Sequence, residues 1–104
     1  MSEYSMMVST CSDKEAAKSI ATLLLEERLA ACVQMFPIES MYVWNGEVCD
    51  DSEVALLIKA KSEHFARIAD AIKSNHSYET PEIIQIPITN GLPEYLKWIE
   101  EATT

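Results

Sequence analysis

The dipeptide Asn45-Gly46 constrains the fold of this chain more than any other local feature. Asparagine and glycine tolerate the positive φ angles of a two-residue type I′ turn, and such a turn joins adjacent antiparallel strands. Apolar and aromatic residues dominate positions 41–44 before the dipeptide and positions 54–58 after it. The sequence therefore predicts a β-hairpin in the middle of the chain, and with it an antiparallel sheet.

Helical spacing of apolar residues appears on both sides of this hairpin. Asp13 is the expected N-cap of a first helix, which the pattern carries to about Leu29 or Ala30. Ser62 is the expected cap of a second helix, whose core-facing residues are Phe65, Ile68, Ala69 and Ile72. A short third helix is predicted to begin at Pro93, because proline is favoured in the first helical turn.

Strands are predicted at residues 4–10, 31–37, 40–44, 47–58 and 82–88, with Pro37 interrupting the second strand or ending it at an edge. The order is then β-α-β-β-α-β with an extra C-terminal helix, which is an α+β, ferredoxin-like arrangement. We expect residues 1–104 to form a single domain of this kind. Because helices would cover only one face of the sheet, the other face should keep large apolar residues. Such a face predicts self-association through the face or through the strand edges.

The acidic composition excludes several classes of partner. The formal net charge is -9 and no basic stripe offsets it, so nucleic acid is not an expected partner, whereas cations are. No apolar run approaches the roughly 20 residues of a membrane span, and no signal peptide is evident, so no membrane association is expected. The three cysteines fit no zinc motif and agree with a reducing, cytoplasmic location.

Residues 75–88 hold the densest group of side chains able to bind a cation or a polar ligand. His76, Tyr78, Glu79 and Glu82 fall within seven positions of one another and precede an apolar strand. Pro81 forces an extended backbone at Thr80, so these polar groups should be held near the start of the strand. The segment is therefore the first candidate for a functional site.

Several motifs, in order along nearly the whole chain, resemble the CutA family of divalent-cation tolerance proteins. They are Glu-Arg-Leu-Ala-Ala-Cys at 27–32, Tyr-Val-Trp-Asn-Gly at 42–46, His-Ser-Tyr-Glu-Thr-Pro-Glu-Ile at 76–83, and Tyr-Leu-Lys-Trp at 95–98 after Gly91. The resemblance implies a ferredoxin-like subunit in a compact homotrimer, similar in architecture to the PII signalling proteins. It also implies a role in tolerance of copper and other divalent cations, and it brings no established catalytic activity.

The resemblance also implies a set of metal ligands. The copper site proposed for the family uses a cysteine just after the first strand and a pair of histidines before the Tyr-x-Thr-Pro segment. The corresponding positions in this chain hold Ser9, Asn75 and His76. His76 is therefore the predicted principal ligand for Cu²⁺ or another divalent cation. Cys11, two residues after Ser9 on the same face of a strand, and Glu79 are the predicted assisting ligands. The alternative for His76 is a hydrogen-bonding or capping group at the end of the helix.

A second hypothesis is a PII-like trimeric sensor that binds a small polar ligand in clefts between subunits. Lys59, Tyr78, Glu82 and Trp44 would line that cleft, and Lys59 could instead form an ion pair with Glu82. No enzyme is predicted, because no nucleophile–base pair is evident. No organic cofactor is implied, since two glycines in the chain leave no phosphate-cradling loop.

Overall fold

The computed structural model describes residues 2–104, which form a four-stranded antiparallel sheet and three α-helices. In chain order the elements are β1 (Tyr4–Cys11), α1 (Lys14–Glu26), β2 (Cys32–Trp44), β3 (Glu47–Lys61), a 3-10 turn (Ser62–His64), α2 (Phe65–Asn75), β4 (Ile83–Pro87) and α3 (Pro93–Ala102). The strands lie side by side in the order β2-β3-β1-β4. This order confirms the predicted α+β, ferredoxin-like arrangement with an extra C-terminal helix.

The central hairpin forms where the Asn-Gly dipeptide predicts it. Asn45 and Gly46 have φ angles of 50° and 79°, as a type I′ turn requires. From this turn β2 pairs with β3 without a break, from Trp44 opposite Glu47 to Cys32 opposite Lys59. The expected interruption at Pro37 was wrong, because Pro37 continues the ladder opposite Val54. In the described subunit β2 is an edge strand, where alternate N–H groups point away from the sheet and a proline removes no ladder hydrogen bond.

Helix α1 begins as predicted but ends earlier. The Asp13 side chain accepts a hydrogen bond from the Ala16 N–H at 2.8 Å, which confirms its role as N-cap. The helix stops at Glu26 rather than near Leu29 or Ala30, because Arg28 adopts a left-handed conformation with φ 57°. The N–H groups of Leu29 and Ala30 then both donate hydrogen bonds to the Leu24 carbonyl. This carbonyl at the end of the helix therefore has hydrogen-bond partners, as in other helix C-terminal motifs.

Helix α2 begins differently from the sequence prediction. Ser62 does not cap it: a 3-10 turn intervenes, and α2 starts at Phe65 without a side-chain cap. The Ser62 hydroxyl lies 2.6 Å from the hydroxyl of Ser5 on the neighbouring β1. Ser62 therefore links the end of β3 to β1, and the predicted core-facing residues Ile68 and Ile72 are fully buried as expected.

The two faces of the sheet differ in what covers them. On one face Met7, Leu56 and Ile58 pack with helices α1 and α2, mainly through Leu24, Ile68 and Ile72. The residues between them in the strands point to the opposite face. That face, here called the open face, is defined by the exposed apolar side chains of Phe36, Tyr42, Trp44, Ile84 and Ile86. The prediction of an apolar second sheet face is therefore confirmed.

Helix α3 is attached at one end of the open face. Glu100 forms an ion pair with Lys61 at 2.9 Å and accepts a hydrogen bond from the Tyr4 hydroxyl at 3.1 Å. Tyr4 and Lys61 face each other on β1 and β3, at the end of the sheet farthest from the hairpin turn. Helix α3 therefore leaves most of the open face uncovered within the described subunit. Among residues 2–104, no helix combines the length and apolarity needed to cross a membrane.

Candidate functional site

His76 occupies the junction between α2 and the segment that leads to β4. It is the C-cap of α2 and has an extended backbone conformation. Its Nε2 lies 2.6 Å from the Thr10 carbonyl, and its Nδ1 accepts a hydrogen bond from the Tyr78 N–H at 3.0 Å. Because Nδ1 accepts, Nε2 carries the proton and donates to Thr10. The neutral ring therefore fastens this segment to the end of β1.

Tyr78 makes the second attachment of the segment. Its hydroxyl donates to Glu53 Oε2 at 2.8 Å, and its ring lies against that of His76 with centroids 4.6 Å apart. Glu53 is only 9% exposed, so this is a buried, charge-assisted hydrogen bond. Burial, the hydrogen bond to Glu53 and the charge of Glu53 all raise the pKa of Tyr78. The phenol therefore stays protonated and remains the donor throughout the physiological range.

A second phenol–carboxylate pair lies beside the first, on the hairpin. The hydroxyl of Tyr42 donates to Asp51, and this hydrogen bond, followed by desolvation, raises the pKa of Tyr42 to about 12. Tyr42, Asp51 and Glu53 all belong to the open face, since their positions alternate correctly along β2 and β3. Trp44 follows on the same face and is 45% exposed. The margin of the open face next to residues 76–78 is thus acidic and aromatic.

The remaining predicted metal ligands lie in different surroundings. Cys11 is 1% exposed and belongs to the core between the sheet and the helices. Burial, with smaller contributions from Asp13 and Glu53, raises the pKa of its thiol to about 11. Glu79, by contrast, is exposed. His76 and Cys11 are both near the end of β1, whereas Glu79 points into solvent.

These residues do not make a preformed metal site. Histidine and cysteine bind a transition metal only through an unprotonated imidazole nitrogen or a thiolate. Both nitrogens of His76 are engaged in hydrogen bonds, and the Cys11 thiol is buried and protonated. No group of three or more His, Cys, Asp or Glu side chains able to hold a metal ion occurs among residues 2–104. The ligand assignment of His76, Cys11 and Glu79 stays a prediction.

The residues predicted to line a ligand cleft are also dispersed. Lys59 donates to the amide oxygen of Gln34 at 2.7 Å, and the expected ion pair with Glu82 was wrong. The ion pair found within residues 2–104 is the one between Lys61 and Glu100. Glu82 is exposed just before β4, and Trp44 lies at the far end of the hairpin from Lys59. Tyr78 is the cleft residue that has a buried polar partner.

Two contributors to this site were missed by the sequence interpretation. Glu53 is absent from the predicted site residues, and residue 10 is predicted only as the last residue of the first strand. The alternation of β3 could have placed Glu53 on the same face as Ala55 and Leu57, since all three are separated by even intervals. No local signal indicates that the Thr10 carbonyl is the partner of His76.

Comparison with known proteins gives a family for the chain. Residues 5–102 match the family described as CutA1 divalent ion tolerance protein. The divalent-cation tolerance protein CutA of Archaeoglobus fulgidus is 48% identical over 88% of this chain and 90% of its own length. The protein of the same name from Thermus thermophilus is 44% identical over 90% of this chain and 92% of its own length.

Solved structures agree with this assignment. The CutA structure from Archaeoglobus fulgidus superposes with a TM-score of 0.94 at 44% identity, and it covers 95% of this chain and 97% of that one. CutA1 from Oryza sativa superposes with a TM-score of 0.95 at 38% identity, and the match covers 99% of this chain and 95% of the rice chain. The resemblance carried by the four sequence motifs is thereby confirmed, and this chain belongs to the CutA1 family of divalent ion tolerance proteins.

Proposed function

We propose that this chain acts in divalent-cation tolerance as a non-enzymatic homotrimer that binds divalent cations, copper among them, weakly. The observation that carries the proposal is the match of nearly the whole chain to relatives named divalent-cation tolerance protein. Because the match covers about nine-tenths of both chains, the shared role belongs to the whole subunit rather than to a piece of it. The three free thiols support work in a reducing compartment such as the cytoplasm.

Weak rather than tight binding is what the donor groups support. A cation at His76 has to displace either the Tyr78 N–H from Nδ1 or, after the ring proton moves, the Thr10 carbonyl from Nε2, and both contacts hold the segment in place. The net charge of -9 favours the approach of cations over the whole surface, and the exposed carboxylate of Glu79 is available beside His76. Cys11 could assist only after leaving the core. The loss of a His76 hydrogen bond and the exposure of Cys11 both oppose binding, so affinity is reduced.

The trimer is supported by the open face. Phe36, Tyr42, Trp44, Ile84 and Ile86 are each 41–50% exposed on one side of the sheet. An apolar surface of this kind on a small subunit usually marks an interface. The two edge strands, β2 and β4, are different from each other. Contacts between unlike surfaces of neighbouring subunits are head-to-tail contacts, and such contacts can close into a ring.

Calorimetric titration with Cu²⁺ tests the cation site. Wild-type protein should show saturable heat that His76→Ala removes or strongly reduces, because the variant lacks the imidazole. Ser74→Ala is the matched control, since Ser74 is an exposed residue of α2 two positions before His76. An isotherm that is unchanged in His76→Ala would show that the proposed site is wrong.

A PII-like sensor is the second candidate function, with a small polar ligand held between subunits. The buried Tyr78–Glu53 pair at the margin of the open face favours it, as does Lys59, which meets an amide rather than a carboxylate. Lys59, Tyr78, Glu82 and Trp44 would line the cleft once a neighbouring subunit closes it. A thermal-shift screen of metabolites with a chelator present distinguishes the two functions. Stabilisation by an organic ligand without any response to metal would favour the sensor.

A further inference from the structure

His64 is a fully buried histidine that the proposed function does not use. It ends the 3-10 turn before α2, and its side chain is 0% exposed. Its Nδ1 lies 2.9 Å from the carbonyl of Leu29. A carbonyl only accepts, so Nδ1 carries the proton and the ring is the Nδ1–H tautomer. The other nitrogen, Nε2, has no hydrogen-bond partner among the described residues.

The carbonyl that His64 holds belongs to a loop with several long-range attachments. The loop spans residues 27–31, and within it Arg28 has a positive φ angle. Arg28 makes two further contacts with the C-terminal end of the chain. Its carbonyl accepts a hydrogen bond from the Thr104 N–H at 3.1 Å, and its guanidinium donates to the Glu101 carbonyl at 3.4 Å. The loop therefore connects α1, the buried histidine and the C-terminal end of α3.

No charged group among the described residues lies within hydrogen-bond distance of His64 Nε2. On α3, Glu100 already accepts from Lys61 and Tyr4, and these contacts lower its pKa, with a smaller contribution from His64. On the 3-10 turn Glu63 is exposed, and Lys61 at the end of β3 is itself positive. On the α1 side the exposed charges are Arg28, beside Leu29, and Glu26 and Glu27 at the end of the helix.

We propose that His64 is an acid-sensitive latch that holds the loop 27–31 and the end of α3 while its ring is neutral. Protonation of Nε2 would leave a buried N–H and a positive charge without an acceptor, which is unfavourable. The proton is bound more readily when the loop is open and the ring reaches water. Acidification across the range in which imidazoles titrate, roughly pH 8 to 5, therefore shifts the equilibrium towards the open loop.

The latch bears on the assembly as well as on the subunit. The end of α3 lies across one end of the open face, through Glu100 with Tyr4 and Lys61. Release of the loop removes one attachment of the C-terminal residues, which Lys61 also holds through the Thr104 carbonyl at 3.2 Å. The proposal does not depend on cation binding. A negative copper titration would therefore leave the His64 proposal intact, and a negative test of His64 would leave the cation site intact.

Amide hydrogen exchange at Leu29, Ala30 and Thr104 tests the latch directly. The protection factors of wild-type protein, corrected for intrinsic exchange, should fall by about tenfold or more from about pH 7.5 to about pH 5. In His64→Asn they should stay nearly constant, because the asparagine amide can donate to Leu29 but does not titrate. His76→Asn is the matched control and should keep the wild-type fall. Constant protection in wild type, or an equal fall in His64→Asn, would overturn the proposal.

A second measurement keeps the proposal testable if His64→Asn does not fold. The chain has two histidines, so ¹⁵N spectra of wild type and His76→Asn assign both rings. At about pH 7.5 His64 should be the neutral Nδ1–H tautomer. An Nε2–H tautomer or a charged ring at that pH would contradict the latch.

Discussion

At the scale of single residues, the Tyr78–Glu53 contact helps to hold the segment that follows α2 against the sheet. Glu53 stands between the polar residues 50–52 and the apolar residues 54–58 of β3, and it is nine-tenths buried. A buried carboxylate is stable only when it is hydrogen-bonded, and Tyr78 provides that donor. His76 completes the attachment by donating to Thr10. These side chains therefore act first as structural partners of one another.

Tyr78→Phe should lower the free energy of unfolding by about 1–3 kcal/mol, because it leaves the Glu53 carboxylate buried without a donor. Urea denaturation measures the change. Ser52→Ala is the control, since it removes an exposed hydroxyl that bonds to Glu39, and it should change stability by less than about 0.5 kcal/mol. Equal effects of the two variants would contradict the assigned importance of the buried pair.

The thiol of Cys11 should be unreactive in the folded protein at neutral and mildly alkaline pH. Its pKa is raised to about 11, mainly by burial, and the thiolate is the reactive form. In Cys32→Ser/Cys49→Ser, where Cys11 is the remaining thiol, labelling should be slow at about pH 8 and complete in denaturant. Rapid labelling of the folded variant would show that Cys11 leaves the core readily.

The same shift has a consequence for stability. The folded-state pKa of Cys11 lies above that of a free thiol, so ionisation favours the unfolded chain. The contribution of Cys11 is fully present below about pH 8.5 and is lost as the pH rises towards 11. Wild type should therefore lose more stability over that window than Cys11→Ala, as measured by urea denaturation at each pH.

At the scale of elements, the β2–β3 hairpin dominates the subunit. Its strands have 13 and 15 residues, and the subunit measures 44 Å along its longest axis. The turn needs positive φ angles at both Asn45 and Gly46. Pro37 is tolerated within β2 because an edge strand has N–H groups that make no ladder bond.

Gly46→Ala should destabilise the protein by about 1–2 kcal/mol. An added Cβ meets no atom within 4 Å, so the cost comes from the left-handed backbone conformation and not from crowding. Asn45→Gly is the matched control, because glycine adopts the same conformation freely and should be tolerated. Thermal unfolding of the three proteins compares them, and a tolerated Gly46→Ala would argue against a type I′ turn.

At the scale of the whole molecule, the open face is the property that a single subunit leaves unexplained. The helices cover one side of the sheet, while α3 reaches only one end of the other. Apolar side chains on the uncovered side favour burial against further copies of the chain. The proposed trimer is the assembly that would satisfy this requirement.

Light scattering of the wild-type protein should give about three times the subunit mass of 11.7 kDa. Ile86→Lys should reduce that mass, because it places a charge on the open face. Leu25→Lys is the matched control: both side chains are 41% exposed, but Leu25 lies on α1, on the opposite side of the sheet. A monomeric wild type would exclude the trimer and any cleft between subunits.

The local features of this protein follow from the sequence because they depend on near neighbours. The Asn45-Gly46 turn, the Asp13 cap and the buried positions Ile68 and Ile72 can be predicted from dihedral preferences and from periods of 2 and 3.6 residues. The end of α1 could not, because Arg28 is left-handed in a loop held by Leu24, His64 and the C-terminus.

The sequence by itself determined the order of elements, the central hairpin and the family. Each of these can be recognised from short motifs and from the local spacing of apolar residues. The tertiary structure decided which polar groups remain free to act. His76 meets a carbonyl 66 residues away and Tyr78 a carboxylate 25 residues away. Such partners depend on how strands and helices come together in space. No local pattern encodes them, and for that reason the apparent ligand His76 proved to be hydrogen-bonded through both ring nitrogens.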